Sequence, residues 1–187
     1  VSVNILVTSN DSDADGDTLS IISVDQISTG TVTFDANSIT YAPHPNYYGV
    51  NQFAYTISDG RGLQTSAYVR VTVNGRPILT DDIYPVSIVG ATMLDVLSND
   101  SDPDQDAFSI TSVTQPTEGM LEVIGEQLSY TPPSGFRGNQ QFSYTVEDAR
   151  GGIAEATVTV RVSSPPVAAA DNALAQEETS LEIDVLN

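Results

Sequence analysis

The feature that most constrains the fold of this chain is an internal repeat. Residues 10–17 read NDSDADGD, and residues 99–106 read NDSDPDQD, 89 positions later. The same offset continues without a gap and pairs Gly30 with Gly119, Tyr41 with Tyr130, Tyr55 with Tyr144, and Asp59 with Asp148. A duplication of this length predicts two copies of one small folded unit rather than a single large domain.

The register of the repeat divides the chain into three parts. We predict an N-terminally truncated repeat at residues 1–74 (unit 1), a complete repeat at residues 75–163 (unit 2), and the N-terminal fragment of a third repeat at residues 164–187. The linkers contain proline, which fixes φ and stiffens a junction. We therefore expect an elongated piece of a protein with further copies.

Alternation with a period of two dominates both units. Phe142, Tyr144 and Val146 share one face of a predicted strand, and a second strand at 154–162 alternates in the same way. Shorter strands are predicted at 83–89, 92–97, 108–113, 120–124 and 127–131. About seven short strands per unit indicate an all-β fold, a tandem antiparallel β-sandwich.

Tyr47 and Tyr48 are expected to cap a core rather than to stack on a sugar.

Charge and composition exclude several classes of function. The chain has 25 acidic and 6 basic residues and a formal charge of −19, which disfavours binding to nucleic acid or to an anionic membrane. No apolar run is long enough for membrane insertion. Cysteine is absent, and the one histidine, His44, lies between two prolines, where an exposed loop residue is more common than a catalyst. We expect no enzymatic activity.

Aspartate at every second position is the sharpest chemical signal. Four carboxylates within seven residues repel one another unless a cation neutralises them, and in a tight loop they can surround one. Calcium accepts six to eight flexible oxygen ligands, magnesium demands a stricter octahedron, and zinc or copper prefers His or Cys. The predicted ligands are Asp11, Asp13, Asp15 and Asp17 in unit 1 and Asp100, Asp102, Asp104 and Asp106 in unit 2.

Two other interpretations of these loops compete with a calcium site. Asp-x-Asp-x-Asp-Gly opens an EF-hand loop, but the twelfth position from Asp11 is Ile22 rather than Glu, and no helices flank it. A solvated acidic turn remains the alternative, although a merely soluble loop has no reason to keep four Asp in register in two units.

Other repeated acids are weaker candidates. Asp59 and Asp148 lie in a predicted hairpin, where a ligand and a turn former are equally good interpretations. Asp82 and Asp171 open their repeats and could reach a metal site near a junction between units.

The combined motifs resemble the bacterial cadherin-like, immunoglobulin-like tandem repeats of large surface adhesins and of some secreted polysaccharide-active proteins. The resemblance is carried by Asn-Asp-Ser-Asp-x-Asp, Tyr-x-Pro, Phe-x-Tyr-Thr-(Ile/Val)-x-Asp-x-Arg-Gly and a closing Val-x-Val. It implies a calcium-binding β-sandwich of an extracellular or cell-surface protein, with the family's Asp-rich loop at 11–17 and 100–106 and its hairpin Asp at Asp59 and Asp148. Gln105 departs from the family's usual glycine.

The resulting expectation is a calcium-stabilised structural or adhesive module whose partners are neighbouring repeats of the same chain. The alternative is a calcium-dependent module that binds polysaccharide or another copy of itself. Because residues 166–187 correspond to strands that unit 1 lacks, we also expect that this tail can complete unit 1 of a neighbouring molecule by strand exchange.

Overall fold

Strands account for nearly all the regular structure of the computed structural model, which describes residues 2–170. A short 3-10 helix (Val7–Asn10) is the exception. In chain order the strands are β1 (Val3–Ile5), β2 (Ser20–Val24), β3 (Gly30–Phe34), β4 (Ile39–Pro43), β5 (Gly49–Ser58), β6 (Gln64–Val73), β7 (Asp82–Ser87), β8 (Thr92–Leu94), β9 (Phe108–Val113), β10 (Met120–Ile124), β11 (Gln127–Thr131), β12 (Gly138–Asp148) and β13 (Ile153–Ser163).

The strands form four sheets in two groups. In the first group, β1–β4–β3 faces β2–β5–β6; in the second, β8–β11–β10 faces β7–β13–β12–β9. An offset of 89 residues relates β1–β6 to β8–β13 strand by strand, so the repeat in the sequence is also a repeat of topology. The all-β, mainly antiparallel architecture predicted from the alternating pattern is confirmed.

One strand pairing departs from the antiparallel prediction. Strand β7 runs parallel to β13, with Asp82 opposite Val158 and Ser87 opposite Ser163. The first and last strands of this group lie side by side and point the same way, which is possible because the whole sandwich connects them. As a result β13 is flanked on both sides, whereas its counterpart β6 is an edge strand.

Each group of strands encloses its own apolar cluster. In the second group, Phe142, Tyr144 and Val146 of β12 are buried, as the alternation predicted. The cluster of the second group consists of Val86, Leu94, Val96, Leu121, Leu128, Tyr130, Phe142, Tyr144, Val146, Ala156, Val158, Val160 and Val162. That of the first group consists of Val7, Ile21, Val32, Ile39, Tyr41, Phe53, Tyr55, Ile57 and Val69.

Burial along β6 is weaker than the sequence predicted. The alternation of Ala67, Val69, Val71 and Val73 matches that of β13, but only Val69 is buried and Ala67 is exposed. The edge position of β6 explains this difference, since no strand equivalent to β7 covers it within residues 2–170.

Three further predictions are corrected by the structure. The strand expected at 92–97 ends at Leu94, because turns follow in which the Ser98 and Asp100 amides donate to the carbonyls of Asp95 and Leu97. The opening strand covers Asp82–Ser87 rather than 83–89. Tyr48 is exposed and Tyr47 does not pack against the core, unlike Phe136 at the corresponding position of the second group.

Core packing makes a first testable prediction. Leu128 is fully buried in β11, so Leu128→Ala leaves a cavity and should lower the free energy of unfolding by about 2–5 kcal/mol. The control is Leu63→Ala, because the Leu63 side chain is 76% exposed and should change stability by less than about 0.5 kcal/mol. Urea unfolding followed by circular dichroism measures both; equal effects would contradict the assignment of the core.

Candidate metal sites

The Asp-rich loop of each unit is closed by an aspartate side chain. Asp102 Oδ1 accepts hydrogen bonds from the backbone N–H groups of Asp104 (2.8 Å) and Asp106 (3.1 Å). In the other unit Asp13 Oδ1 accepts from Asp15 (2.8 Å) and Asp17 (3.1 Å). These backbone donors stabilise the carboxylate form and lower the pKa of Asp13. The two loops therefore share one local structure.

Gln105 keeps the backbone conformation of the glycine it replaces. Its φ is 63°, and that of Gly16 is 79°. A residue with a Cβ pays about 1–2 kcal/mol to occupy this left-handed region, so the loop geometry in unit 2 is maintained against a local cost.

The loop geometry brings three carboxylates of each loop together. Ligand oxygens of Asp13, Asp15 and Asp17 lie within 4.8 Å of one another, as do those of Asp102, Asp104 and Asp106. Burial, and then the charges of Asp13 and Asp59, raise the pKa of Asp17. Burial and neighbouring negative charge both disfavour the ionised form of Asp17.

The first aspartate of each motif points elsewhere. The Tyr144 hydroxyl donates to Asp100 Oδ2 at 2.7 Å, and the Tyr55 hydroxyl donates to Asp11 Oδ2 at 3.1 Å. The sequence predicted four convergent ligands per loop, and the structure gathers three of them. Asp11 and Asp100 instead connect the loops to buried tyrosines of β5 and β12.

The hairpin aspartates are turn formers in both units. Asp148 Oδ1 accepts from the backbone N–H groups of Arg150 (2.7 Å) and Gly152 (2.9 Å), and Asp59 Oδ1 accepts from those of Arg61 and Leu63. Turn formation, one of the two roles predicted from the sequence, thus accounts for Oδ1 of each side chain and not for Oδ2. Asp59 also lines a small cavity of about 120 Å³ together with Asp13.

The arginine of each hairpin contacts the last aspartate of the loop, which the sequence analysis did not anticipate. Arg61 Nη2 lies 2.6 Å from Asp17 Oδ1, and Arg150 Nε lies 3.3 Å from Asp106 Oδ2. The repeated Arg-Gly after each hairpin Asp was the available signal. Both arginines are largely exposed, so each contributes no more than about 1 kcal/mol.

The linker between the two groups of strands reaches the carboxylate cluster of unit 2. The Asn74 side-chain amide donates to Asp148 Oδ2 at 2.9 Å, and the Gly75 backbone N–H donates to Asp104 Oδ2 at 2.6 Å. Sequence reasoning missed Asn74, because the residue 89 positions later is Ser163 and the repeat gives no signal there.

Several oxygens around this cluster are buried without a hydrogen-bond partner. They are Asp102 Oδ2, Asn74 Oδ1 and Asp106 Oδ2, the last of which accepts no hydrogen bond but lies 3.3 Å from Arg150 Nε. Among the described residues, two buried acceptors without a partner, one carboxylate oxygen paired with an exposed arginine, and no buried donor without a partner lie at this place, which is the set of oxygens that a hard cation requires. The residues present therefore fit a calcium ion, which Asp102, Asp104, Asp106, Asp148 and Asn74 would hold.

Asp82 lies in a separate polar site beside Asp100. Asp82 is 6% exposed, its Oδ1 accepts from the Asn99 side-chain amide at 3.2 Å, and its Oδ2 is buried without a partner. Burial, and then the charge of Asp100, raise the pKa of Asp82 to about 6. Asp100 Oδ1 accepts from the Thr80 backbone N–H at 2.9 Å.

Asp81, the residue before Asp82, is engaged elsewhere. Asp81 Oδ1 accepts from the Thr157 backbone N–H, and Asp171 lies outside the described residues, as does most of the predicted strand-exchange tail. His44 is exposed and, with Tyr47 and Tyr48, lines a cavity of about 730 Å³ beside the linker. Among residues 2–170, no helix has the length and apolar character needed to span a bilayer.

Solved structures that match this chain include two-domain cadherin fragments and an endo-fucoidan hydrolase. Chicken VE-cadherin EC1-2 is 16% identical, with 88% of this chain and 92% of that chain covered and a TM-score of 0.41. Human mucin-like protocadherin EC1-2 is 16% identical over 79% and 84% of the two chains, with a TM-score of 0.37. An endo-fucoidan hydrolase, MfFcnA4, is 20% identical over 81% of this chain and 24% of that chain, also with a TM-score of 0.37.

Curated relatives match this chain over a small part of their own length. Protein GAMETE EXPRESSED 2 of Arabidopsis thaliana is 33% identical over 135 residues, which is 71% of this chain and 15% of that protein. Integrin beta-like protein A of Dictyostelium discoideum is 26% identical over 172 residues, which is 79% of this chain and 9% of that protein.

The family comparison covers most of the chain. The model of the bacterial Ig domain matches twice, at residues 1–72 and 74–161, and each match coincides with one group of strands. Domains of this family are typically non-enzymatic. The chain belongs to the bacterial Ig domain family, as two successive copies of its structural or adhesive module.

Proposed function

We propose that this chain is a calcium-stabilised structural or adhesive repeat module of an extracellular bacterial protein, in which calcium bound by the Asp-rich loops makes the tandem repeats rigid. The observation that carries the proposal is a pair of buried oxygens without a hydrogen-bond partner, Asp102 Oδ2 and Asn74 Oδ1, beside Asp106 Oδ2, which is in a 3.3 Å ion pair with the exposed Arg150. Leaving such acceptors unpaired costs about 1–3 kcal/mol each, and a bound cation removes that cost.

The choice of calcium follows from the ligands and the environment. All candidate ligands are oxygens, which excludes soft metals, and the loop supplies them from a flexible segment rather than from a rigid octahedron. Extracellular calcium sites work with dissociation constants of about 0.1–1 mM. At about 1 mM calcium, a site with a Kd of about 0.1 mM adds about 1.4 kcal/mol to stability.

Rigidity follows from the position of the linker. Asn74 contacts the hairpin Asp148, and Gly75 contacts Asp104 in the loop, so both elements of the unit 2 site hold the segment that follows β6. A cation bound by both Asn74 and the loop carboxylates would fix the orientation of the first group of strands relative to the second. The module then acts mechanically, by resisting bending.

Removing one loop carboxylate tests the calcium site. Asp102→Asn keeps the Oδ1 acceptor that closes the loop and removes the charge, so we expect the variant to bind one calcium fewer than the unchanged chain in isothermal titration calorimetry. The part of the calcium stabilisation of unit 2 that this site supplies, about 5–10 °C in midpoint temperature at 1 mM calcium for a domain of this size, should be lost.

The matched control for this substitution is Asp35→Asn. Asp35 Oδ1 also closes a turn, accepting from the backbone N–H groups of Asn37 and Ser38, but Asp35 belongs to neither carboxylate cluster. This variant should keep the full calcium stoichiometry. Binding by Asp102→Asn that equals binding by Asp35→Asn would overturn the proposal.

Linker rigidity has its own test. The chain lacks cysteine, so cysteines introduced at the exposed positions Ser28 and Glu126 can carry a fluorescent donor and acceptor. Calcium should narrow the distribution of transfer efficiencies in single-molecule measurements, and Asn74→Ala should weaken calcium binding about tenfold and restore the broad distribution. An equally narrow distribution in chelator would show that the junction is stiff without metal.

A second candidate function is calcium-dependent binding of polysaccharide. It is favoured by the cavity of about 730 Å³, where Tyr47 and Tyr48 lie beside Arg76, because aromatic rings stack on sugars and Arg binds acidic groups. Glycan arrays with and without calcium, repeated with Tyr48→Ala, would detect this activity. Analytical ultracentrifugation under the same conditions tests self-association.

A further inference from the structure

The polar site around Asp82 and Asp100 contains more hydrogen-bond acceptors than donor hydrogens. Three neutral groups donate to the two carboxylates: the Thr80 backbone N–H and the Tyr144 hydroxyl to Asp100, and the Asn99 amide to Asp82. The fourth carboxylate oxygen, Asp82 Oδ2, is buried without a hydrogen-bond partner, although the Tyr144 hydroxyl lies near the Asp82 carboxylate. The Tyr144 hydroxyl has only one hydrogen, and it also lies 3.0 Å from the Val96 carbonyl.

The pair also lacks a positive counter-charge in the described part of the chain. Among residues 2–170, the ion pairs are Arg61 with Asp17 and Arg150 with Asp106, and neither reaches Asp82 or Asp100. A buried carboxylate without a partner cation is costly. Two negative charges in one partly buried site therefore call for a cation.

We propose that Asp82 and Asp100 form a second calcium site of unit 2, distinct from the cluster of Asp102, Asp104, Asp106 and Asp148. The buried, unpartnered Asp82 Oδ2 is the observation that points to a ligand. Two carboxylates balance the charge of one divalent cation, and the Thr80 carbonyl, 3.3 Å from the Asn99 amide, is a further oxygen beside them. Oxygen ligands without nitrogen or sulfur select a hard cation.

The elements that supply these ligands give the site a distinct role. Asp82 is the first residue of β7, which pairs with β13, and Asp100 lies in the turn after β8. A cation held by both would join the opening strand of unit 2 to the start of the Asp-rich loop. Asp100 is half-buried and Asn99 is exposed, so the site opens to solvent on that side and an ion can enter.

The first group of strands offers an internal comparison. Asp11 and Tyr55 reproduce Asp100 and Tyr144, but the position equivalent to Asp82 lies before the first residue of this sequence. Among residues 2–170, Asp82 and Asp100 of unit 2 are therefore the pair expected to form such a site.

Calcium titration in a background without the loop sites tests this proposal. The parent is the double variant Asp13→Asn, Asp102→Asn, which keeps both loop-closing acceptors. We expect it to retain one calcium in calorimetry and to show terbium luminescence excited through tyrosine, since the chain has no tryptophan. Adding Asp82→Asn should remove the remaining calcium and the luminescence.

Asp81→Asn is the matched control, because Asp81 is the exposed neighbour whose Oδ1 binds a backbone N–H. It should leave the remaining calcium bound. Asp100→Asn is the second test variant: the Tyr144 hydroxyl can then donate to the Val96 carbonyl, so unit 2 still folds, and the ion should again be lost.

Two results would overturn the proposal. One is an unchanged calcium stoichiometry after Asp82→Asn in the unsubstituted chain. The other is stabilisation by Asp82→Asn to the same extent in calcium and in chelator, which would show that the pair shares a proton instead of a metal ion. If the loops bind no calcium, the double variant and the unsubstituted chain should bind the same amount of calcium. This outcome is therefore distinguishable from failure of the Asp82–Asp100 site.

Discussion

The repulsion between carboxylates that the fold brings close together is the interaction on which the rest of this structure depends. Backbone N–H groups satisfy one oxygen of Asp13 and one of Asp102, and an exposed arginine contacts the last aspartate of each loop. These partners compensate the loop charge only in part. Buried oxygens without a hydrogen-bond partner remain near the linker, on Asp102 and Asn74, and at the start of β7, on Asp82. A cation bound to these oxygens would therefore stabilise both the module and its junction.

The two copies of the module differ because of one strand. In unit 2, β7 pairs with β13 and brings Asp82 to Asp100, so the sheet is extended and a second polar site is formed. In the first group β6 remains at the sheet edge, and Ala67, on the face that should be covered, is exposed. The same sequence pattern therefore gives different burial according to which neighbouring strand is present.

Much of the fold was predictable, because the repeat and the period-two alternation act locally. The faces of β12 and β13 follow from alternation alone, as does the convergence of alternate aspartates in a tight loop. The parallel pairing of β7 with β13 was not predictable, since nothing in a strand's own pattern specifies the direction of a partner about 75 positions away. The orientation of Asp11 and Asp100 toward tyrosines was missed for the same reason.

The sequence by itself determined the all-β class, the duplicated unit and the identity of the acidic loops, because each depends on residues close together in the chain. Only the tertiary structure decided which carboxylates share a site. Asn74 and Asp148 meet across 74 positions and Asp82 is buried beside Asp100, contacts that arise when separate strands and a linker pack together. Burial, which makes an unpartnered oxygen costly, is a property of that packing and not of the local sequence.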